Sequence, residues 1–190
     1  MPYKIIFMGT PQFSVPALES LAKSSYKISC VYTQSPKKSN RGHKLNISPI
    51  QRSAIDLKLV LRNPSNLNTN EELKFFQEIN PDIVVVVAYG QLIPKKFLEI
   101  PKKGFINIHA SLLPRWRGAA PIQRAVINLD RKTGVSIMKI IEELDSGPVM
   151  KKINIEINSS DTSGEISNKL SEIGAKNIVD ALDSIFTHKA

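Results

Sequence analysis

A chain of 190 residues, 42% of them hydrophobic, can bury one sizeable core but not two full-sized ones. Its net charge of +9 is unevenly placed: residues 37–62 hold seven basic side chains and one acid, which points to an anionic partner, nucleic acid first, or else to a solvated lysine-rich surface. The single cysteine excludes an internal disulfide, and the longest apolar run, Ile83–Tyr89, is too short to cross a bilayer, so a soluble, cytoplasmic, monomeric protein with no membrane partner is expected.

The start Met1-Pro2-Tyr3-Lys4 lacks the apolar stretch of a signal peptide and enters a first strand, Ile5–Met8. That strand ends in Gly9-Thr10-Pro11. No G-x-G-x-x-G follows it, and Pro11 removes an N–H that a phosphate loop would use, so no NAD is expected. A helix over 15–24 leads to a strand at Ile28–Thr33, where Cys30 lies in an apolar run and reads as buried packing. The segment Ser35–Lys44 has turn formers and charge but no apolar anchor, and is expected to be a mobile loop. A helix over 48–57, a shorter polar loop at Asn63–Asn68 and a helix over 70–79 precede strands at Ile83–Tyr89 and Phe105–Ile108. A helix over 119–128 and a strand at Val135–Ile140 follow. Ile153–Ile157 alternates and reads as a half-exposed edge strand. The last helix runs from about 163 to 186, and Thr162 with Glu165 can form a capping box at its start. This alternation predicts an α/β fold: a single domain with an open, mostly parallel, Rossmann-like sheet and helices on both faces.

Sites in such folds lie at the carboxyl ends of the strands. Asn107 and His109 are two apart at a predicted strand end, so their side chains share one side. An amide can stabilise an oxyanion, an imidazole can carry protons, and a carboxylate can orient and charge the imidazole; together they suit acyl transfer to an amine. A lone histidine after a strand is often only a satisfied core group. Asp145 sits beside Glu142 and Glu143, and the residues alone do not separate it from a solvated acidic loop. Three histidines, one cysteine and no paired spacing argue against a metal site. Ser111-Leu112-Leu113-Pro114 is either a rigid turn or the wall of a pocket for a flat heterocycle. Arg115-Trp116-Arg117 is either a packed surface indole or a contact for an anionic or stacking partner.

Phe7-Met8-Gly9-Thr10-Pro11, Asn40-Arg41-Gly42-His43-Lys44-Leu45, Val86-Val87-Ala88-Tyr89-Gly90, the run Asn107–Gln123 and Thr133–Met138 closely resemble the 10-formyltetrahydrofolate-dependent formyltransferases. The Arg115–Gln123 run and the basic loop resemble the branch that formylates methionyl initiator tRNA, for translation initiation. The resemblance implies Asn107, His109 and Asp145 as the catalytic set. It implies a formyl-folate site at Ser111, Leu112, Leu113 and Pro114 with Tyr89, Gly90, Leu92 and Ile93. It implies tRNA contacts at Lys37, Lys38, Arg41 and Lys44, with 10-formyltetrahydrofolate as formyl donor. Other acceptors within the family are glycinamide ribonucleotide and amino-sugar nucleotides; a non-catalytic folate- or RNA-binding remnant is the rival of another class. The family continues into a small C-terminal β-barrel that helps hold tRNA. Residues 1–190 are expected to be the catalytic domain alone, with a weakened grip on tRNA.

Overall fold

The computed structural model describes residues 2–38 and 45–187. In chain order the elements are β1 (Lys4–Gly9), a 3-10 turn (Gln12–Ser14), α1 (Val15–Ala22), β2 (Lys27–Tyr32), β3 (Lys37–Lys38), β4 (Leu45–Asn46), α2 (Pro49–Asp56), β5 (Leu61–Arg62) and α3 (Asn70–Ile79). They continue with β6 (Ile83–Val87), α4 (Lys95–Leu98), β7 (Phe105–His109), α5 (Pro121–Ile127), β8 (Lys132–Lys139), β9 (Val149–Glu156) and α6 (Ser163–Thr187). Seven strands form one sheet in the order β5-β2-β1-β6-β7-β8-β9. The first five run parallel; β8 and β9 are antiparallel to their neighbours.

The central strands are buried on both faces, which is why they read as continuous β-branched runs rather than as alternations. Ile5, Phe7, Val85, Ile106 and Ile108 face one way, into a core completed by α1, α2, α5 and α6. Ile6, Met8, Val84, Val86 and Phe105 face the other way, against Phe76 of α3 and Phe97 of α4. Each such side chain taken from water contributes about 1.5–3 kcal/mol. β9, covered on one face only, shows the expected half-exposed alternation. Cys30 is buried, as its apolar run implied, and burial pushes its thiol up to about 12.

Helix starts follow local chemistry. Ser48 accepts a hydrogen bond from the Gln51 amide, with Pro49 in the first turn of α2. Thr69 does the same for Glu72 in α3. The expected capping box is present: Glu165 accepts from the Thr162 amide (2.8 Å) and the Glu165 amide donates to the Thr162 hydroxyl (3.3 Å).

Three features differ from the sequence reading. Lys37 and Lys38, expected in a mobile loop, pair with Asn46 and Leu45 in a small antiparallel ribbon, because the backbone supplies the ladder that the side chains do not advertise. Residues 39–44 of that loop, including Arg41 and Lys44, lie outside the described residues. β5 and α4, of two and four residues, carry too little periodic pattern to be seen. β9 begins four residues earlier than the alternation suggested.

Gly134 of β8 pairs with Asn154, and a methyl group there would lie 2.1 Å from the Ile153 carbonyl oxygen and 2.6 Å from Leu112. A backbone oxygen cannot step aside. Gly134→Ala should therefore destabilise the fold by about 1–3 kcal/mol, read as a lower denaturation midpoint. Gly164→Ala, in the open first turn of α6, should be neutral or stabilising. Equal stability of the two variants would remove the packing argument.

Candidate active site

β7 alternates, so with Ile106 and Ile108 in the core under α6, Asn107 and His109 must face the opposite side. On that side α3 and α4 cover the sheet as far as Phe105. Beyond them two irregular segments, 110–118 and 140–148, take the place of a helix. His109 is buried, whereas Asn107 is half-buried. Among the described residues the Asn107 side-chain amide has no hydrogen-bond partner.

The imidazole is held from two sides. Its Nε2 lies 3.0 Å from the Trp116 carbonyl oxygen, and its Nδ1 lies 3.6 Å from Asp145 Oδ2. A carbonyl oxygen only accepts, so Nε2 carries the proton in that bond. The contact to Asp145 is an ion-pair distance rather than a hydrogen bond. Asp145 Oδ2 in turn accepts from the Gly118 amide at 2.8 Å. Trp116, Gly118, Ala120 and Asp145 all have positive φ, a costly backbone state for three of the four.

The 110–118 segment is tied at several points. Ser136 of β8 donates to the Ser111 carbonyl (2.7 Å) and accepts from the Leu113 amide (3.1 Å). The Ser111 hydroxyl donates to the Arg115 carbonyl (2.6 Å). Asp130 receives Arg115 Nε (2.8 Å), a second Arg115 nitrogen and the Trp116 indole N–H (2.7 Å). The Arg115 guanidinium stacks 4.5 Å over the Trp116 ring. This fork from Arg115 holds the Asp130 carboxyl below its ordinary value.

Asp145 arrives by an indirect route. It follows β8, a strand that runs against β7. Because β8 is antiparallel, its last residues lie beside Phe105 and Ile106, where β7 begins. The chain then makes an excursion over the face and closes where the Lys139 amide donates to the Pro148 carbonyl (2.9 Å). Gly147 allows that closure: a Cβ there would sit 1.9 Å from the Lys139 carbonyl oxygen.

The other candidates are distributed over the same edge. Tyr89 is buried in the second core, its hydroxyl lacks a partner among the described residues, and burial pushes that hydroxyl up. Its carbonyl accepts from the Thr10 hydroxyl (2.7 Å), and the Gly90 carbonyl accepts from Gln34 (2.8 Å), tying three strand ends together. Leu92 is 85% exposed and Ile93 half-buried. Ser111 and Leu113 are buried, Leu112 packs towards Gly134, and Pro114 is exposed. The segment after Tyr89 meets the 140–145 segment through Lys95 and Glu142, 3.1 Å apart. Trp116, Gly118, Asp130 and Ser136 were missed as site-builders. Three act through backbone atoms or from a neighbouring strand, and Asp130 could have been suspected only as the acid nearest two arginines. A surface depression of about 610 Å3 lies elsewhere, between α1 and α2. Among the described residues no three His, Cys, Asp or Glu side chains are grouped to hold a metal ion.

The formyl transferase family model matches residues 3–182, and the chain belongs to that family. Over its full length it is 54% identical to a methionyl-tRNA formyltransferase of Pelagibacter ubique, and over 96% of its length 48% identical to one of Jannaschia sp.. It spans 61% and 60% of those two relatives. Its fold is that of a phosphoribosylglycinamide formyltransferase of Bacillus halodurans, with a TM-score of 0.82 at 18% identity, covering 97% of this chain and 96% of that one. A sugar N-formyltransferase of a Shewanella species gives 0.68 at 20% identity, over 97% and 70%.

The chain has one tryptophan, so its emission reports on the 115–118 turn. The Asp130 carboxyl is depressed in the folded state; its contribution is complete above the unfolded carboxylate value and is lost as pH falls through the lower folded one. Acidification should therefore shift Trp116 emission with a midpoint below the ordinary carboxylate range. Asp130→Asn should show the shifted emission already at neutral pH and no acid step. An acid step persisting in Asp130→Asn would assign it to another group.

Proposed function

We propose that residues 1–190 form the catalytic part of an enzyme that transfers a formyl group from 10-formyltetrahydrofolate to the α-amine of methionyl initiator tRNA. The observation that carries this reading is the imidazole of His109, fixed between the Trp116 carbonyl and the Asp145 carboxylate beside the unpartnered amide of Asn107. Family membership supports the reaction class, and the relatives at 54% and 48% identity support the acceptor.

The residues present fit a formyl-folate. Half-buried Ile93 and Ile140 both pack on the second core, and exposed Leu92 adds apolar surface next to them. The carbonyls of Tyr89 and Gly90 are fixed by Thr10 and Gln34. The Lys95–Glu142 pair joins the segment after Tyr89 to the 140–145 segment. An apolar shelf with a few placed polar groups is what a flat heterocycle needs. In this proposal Tyr89, Gly90, Leu92 and Ile93 line the shelf, and Ser111–Pro114 form its back wall. The donor supplies an activated acyl carbon. The Asn107 amide donates to the formyl oxygen as negative charge develops on it. His109 moves a proton between the attacking amine and the departing nitrogen, and the Asp145 carboxylate keeps the ring oriented and its charged form balanced. The cations of residues 37–62, among them Lys37, Lys38, Arg41 and Lys44, contact phosphates of the acceptor stem.

Incubation with 10-formyltetrahydrofolate and charged initiator methionyl-tRNA, with glycinamide ribonucleotide as competing acceptor, tests the reading. Formylation of the ribonucleotide but not of the tRNA would move the chain to the other acceptor class. No transfer to either would leave a binding remnant. Asn107→Ala and His109→Ala should each lower transfer by about 10²-fold or more with the fold intact. Asp145→Asn keeps the shape and removes the charge. It should lower kcat with little change in KM for the donor; the reverse pattern would give Asp145 a binding role.

A further inference from the structure

The residues that touch His109 are themselves held by a side chain outside the catalytic set. His109 Nε2 meets a backbone carbonyl, that of Trp116, a residue at φ +59°. A strained carbonyl keeps its direction only if the turn around it is over-determined. The nearest restraint is Asp130, at the far end of α5. Its side chain is 10% exposed, and it accepts from Arg115 in a fork and from the Trp116 indole N–H at 2.7 Å. Both residues bracketing the turn are thus gripped by one carboxylate. Arg115 is also stacked on the Trp116 ring, so the two side chains cannot move independently. On the other side, the Ser111 hydroxyl holds the Arg115 carbonyl at 2.6 Å.

We infer that Asp130 is a positioning residue for the reaction. Through Arg115 and Trp116 it fixes the Trp116 carbonyl against His109 Nε2, which sets the imidazole tautomer. With the Nε2 proton committed to that carbonyl, Nδ1, facing Asp145, is the nitrogen that takes up and releases the transferred proton. Among the described residues the polar contacts of Asp130 are to Arg115 and Trp116, not to the imidazole or Asp145. Its effect runs only through the turn, and it adds to the Asn107, His109 and Asp145 set without altering it. The kinetic part rests on the function proposed above; the tautomer part does not.

The test uses Asp130→Asn and Asp130→Ala. Asparagine keeps one acceptor for the indole but loses the charge that receives the guanidinium fork; alanine removes both. The tautomer is read by nitrogen NMR of the histidine rings in their neutral form, with His109 assigned by comparison with His109→Asn. The unmodified chain should show the Nε2-protonated form of His109. The alanine variant should show a mixture of the two tautomers, and the asparagine variant an intermediate. kcat for formyl transfer should fall by about 10-fold or more in Asp130→Ala, while KM for the donor stays within about twofold, because misplacing a proton-transfer group slows the step without removing binding contacts. A merely structural role would lower the thermal midpoint and leave the tautomer unchanged; that result overturns the inference, as does a loss confined to KM. Should Asp130→Ala fail to fold, the asparagine variant alone decides, by the same two readouts. If the unmodified chain formylates neither acceptor, the proposed function fails, and the NMR arm still decides whether Asp130 sets the His109 tautomer.

Discussion

The ring of His109 has an oxygen at each nitrogen, and both oxygens are delivered through backbone turned into positive φ. One is a peptide carbonyl and the other a carboxylate, and they come from segments that share no secondary structure. Trp116, Gly118 and Ala120 turn the first segment through three positive φ values, and Asp145 adds one in the second. Strain of about 1–3 kcal/mol per non-glycine residue in such a conformation persists only where the surroundings leave no alternative. Here the restraints are visible: Ser136 clamps residues 111–113, Asp130 clamps 115–116, and the Gly118 amide reaches back to Asp145. That last bond joins the two segments, so the acid and the carbonyl hold the ring as one unit.

The change of strand direction at β8 makes this arrangement available. In an all-parallel sheet each strand would leave a loop at the same edge, and helices would cover both faces. With β8 antiparallel to β7 and β9, the second face beyond β7 carries no helix among the described residues. The chain between β8 and β9 can then run back over the sheet. It reaches His109 from the end of the strand opposite to the one where His109 sits. A glycine, Gly147, is needed where the excursion closes on the Lys139 carbonyl. On the first face α6 packs so closely on β7 that a methyl group at Gly174 would lie 2.9 Å from an Ile108 methyl. The strand carrying the candidate amide and imidazole is therefore gripped from behind, and its exposed side is free for chemistry.

Much of this was legible in the chain, for reasons that also explain what was not. Ile5–Met8 and Ile83–Tyr89 read as buried strands because burial on both faces demands continuous apolar residues. Asn107 and His109 could be put on one side because the period of a strand is two. The capping box at Thr162 and Glu165 is a local exchange of hydrogen bonds and needs no knowledge of the fold. Strand direction is different: nothing in Val135–Ile140 says which way it runs, so the route of Asp145 stayed hidden. Asp130 was hidden for a related reason. It serves the ring through two other residues and a carbonyl, and backbone acceptors leave no mark on composition. Asp145 itself stood out from Glu142 and Glu143 only by resemblance to a family, whereas in the structure it is the one of the three that turns inward, with its side chain 14% exposed.

The openness of the candidate site bears on what it acts upon. Pockets for small substrates commonly enclose several hundred cubic ångströms and bury most of their ligand. A depression of about 610 Å3 lies between α1 and α2, away from His109, and mixes the unlike charges of Glu19, Lys23, Arg52 and Asp56. In the proposed site Asn107 is half-buried and Leu92 stands into solvent, so the shelf lies open. A shelf excludes water poorly by itself, and hydrogen bonds to a developing oxyanion gain strength only when water is excluded. An acceptor that brings its own bulk, as the end of an RNA arm does, would close the shelf as it delivers the amine. In the proposed function the excess of cations in residues 37–62 would supply the attraction for such an arm. Under the proposed function the long-range charge and the proton-transfer groups lie in separate segments, so binding and chemistry can be altered separately: the oxygens at the two ring nitrogens of His109 come from Trp116 and Asp145, outside residues 37–62.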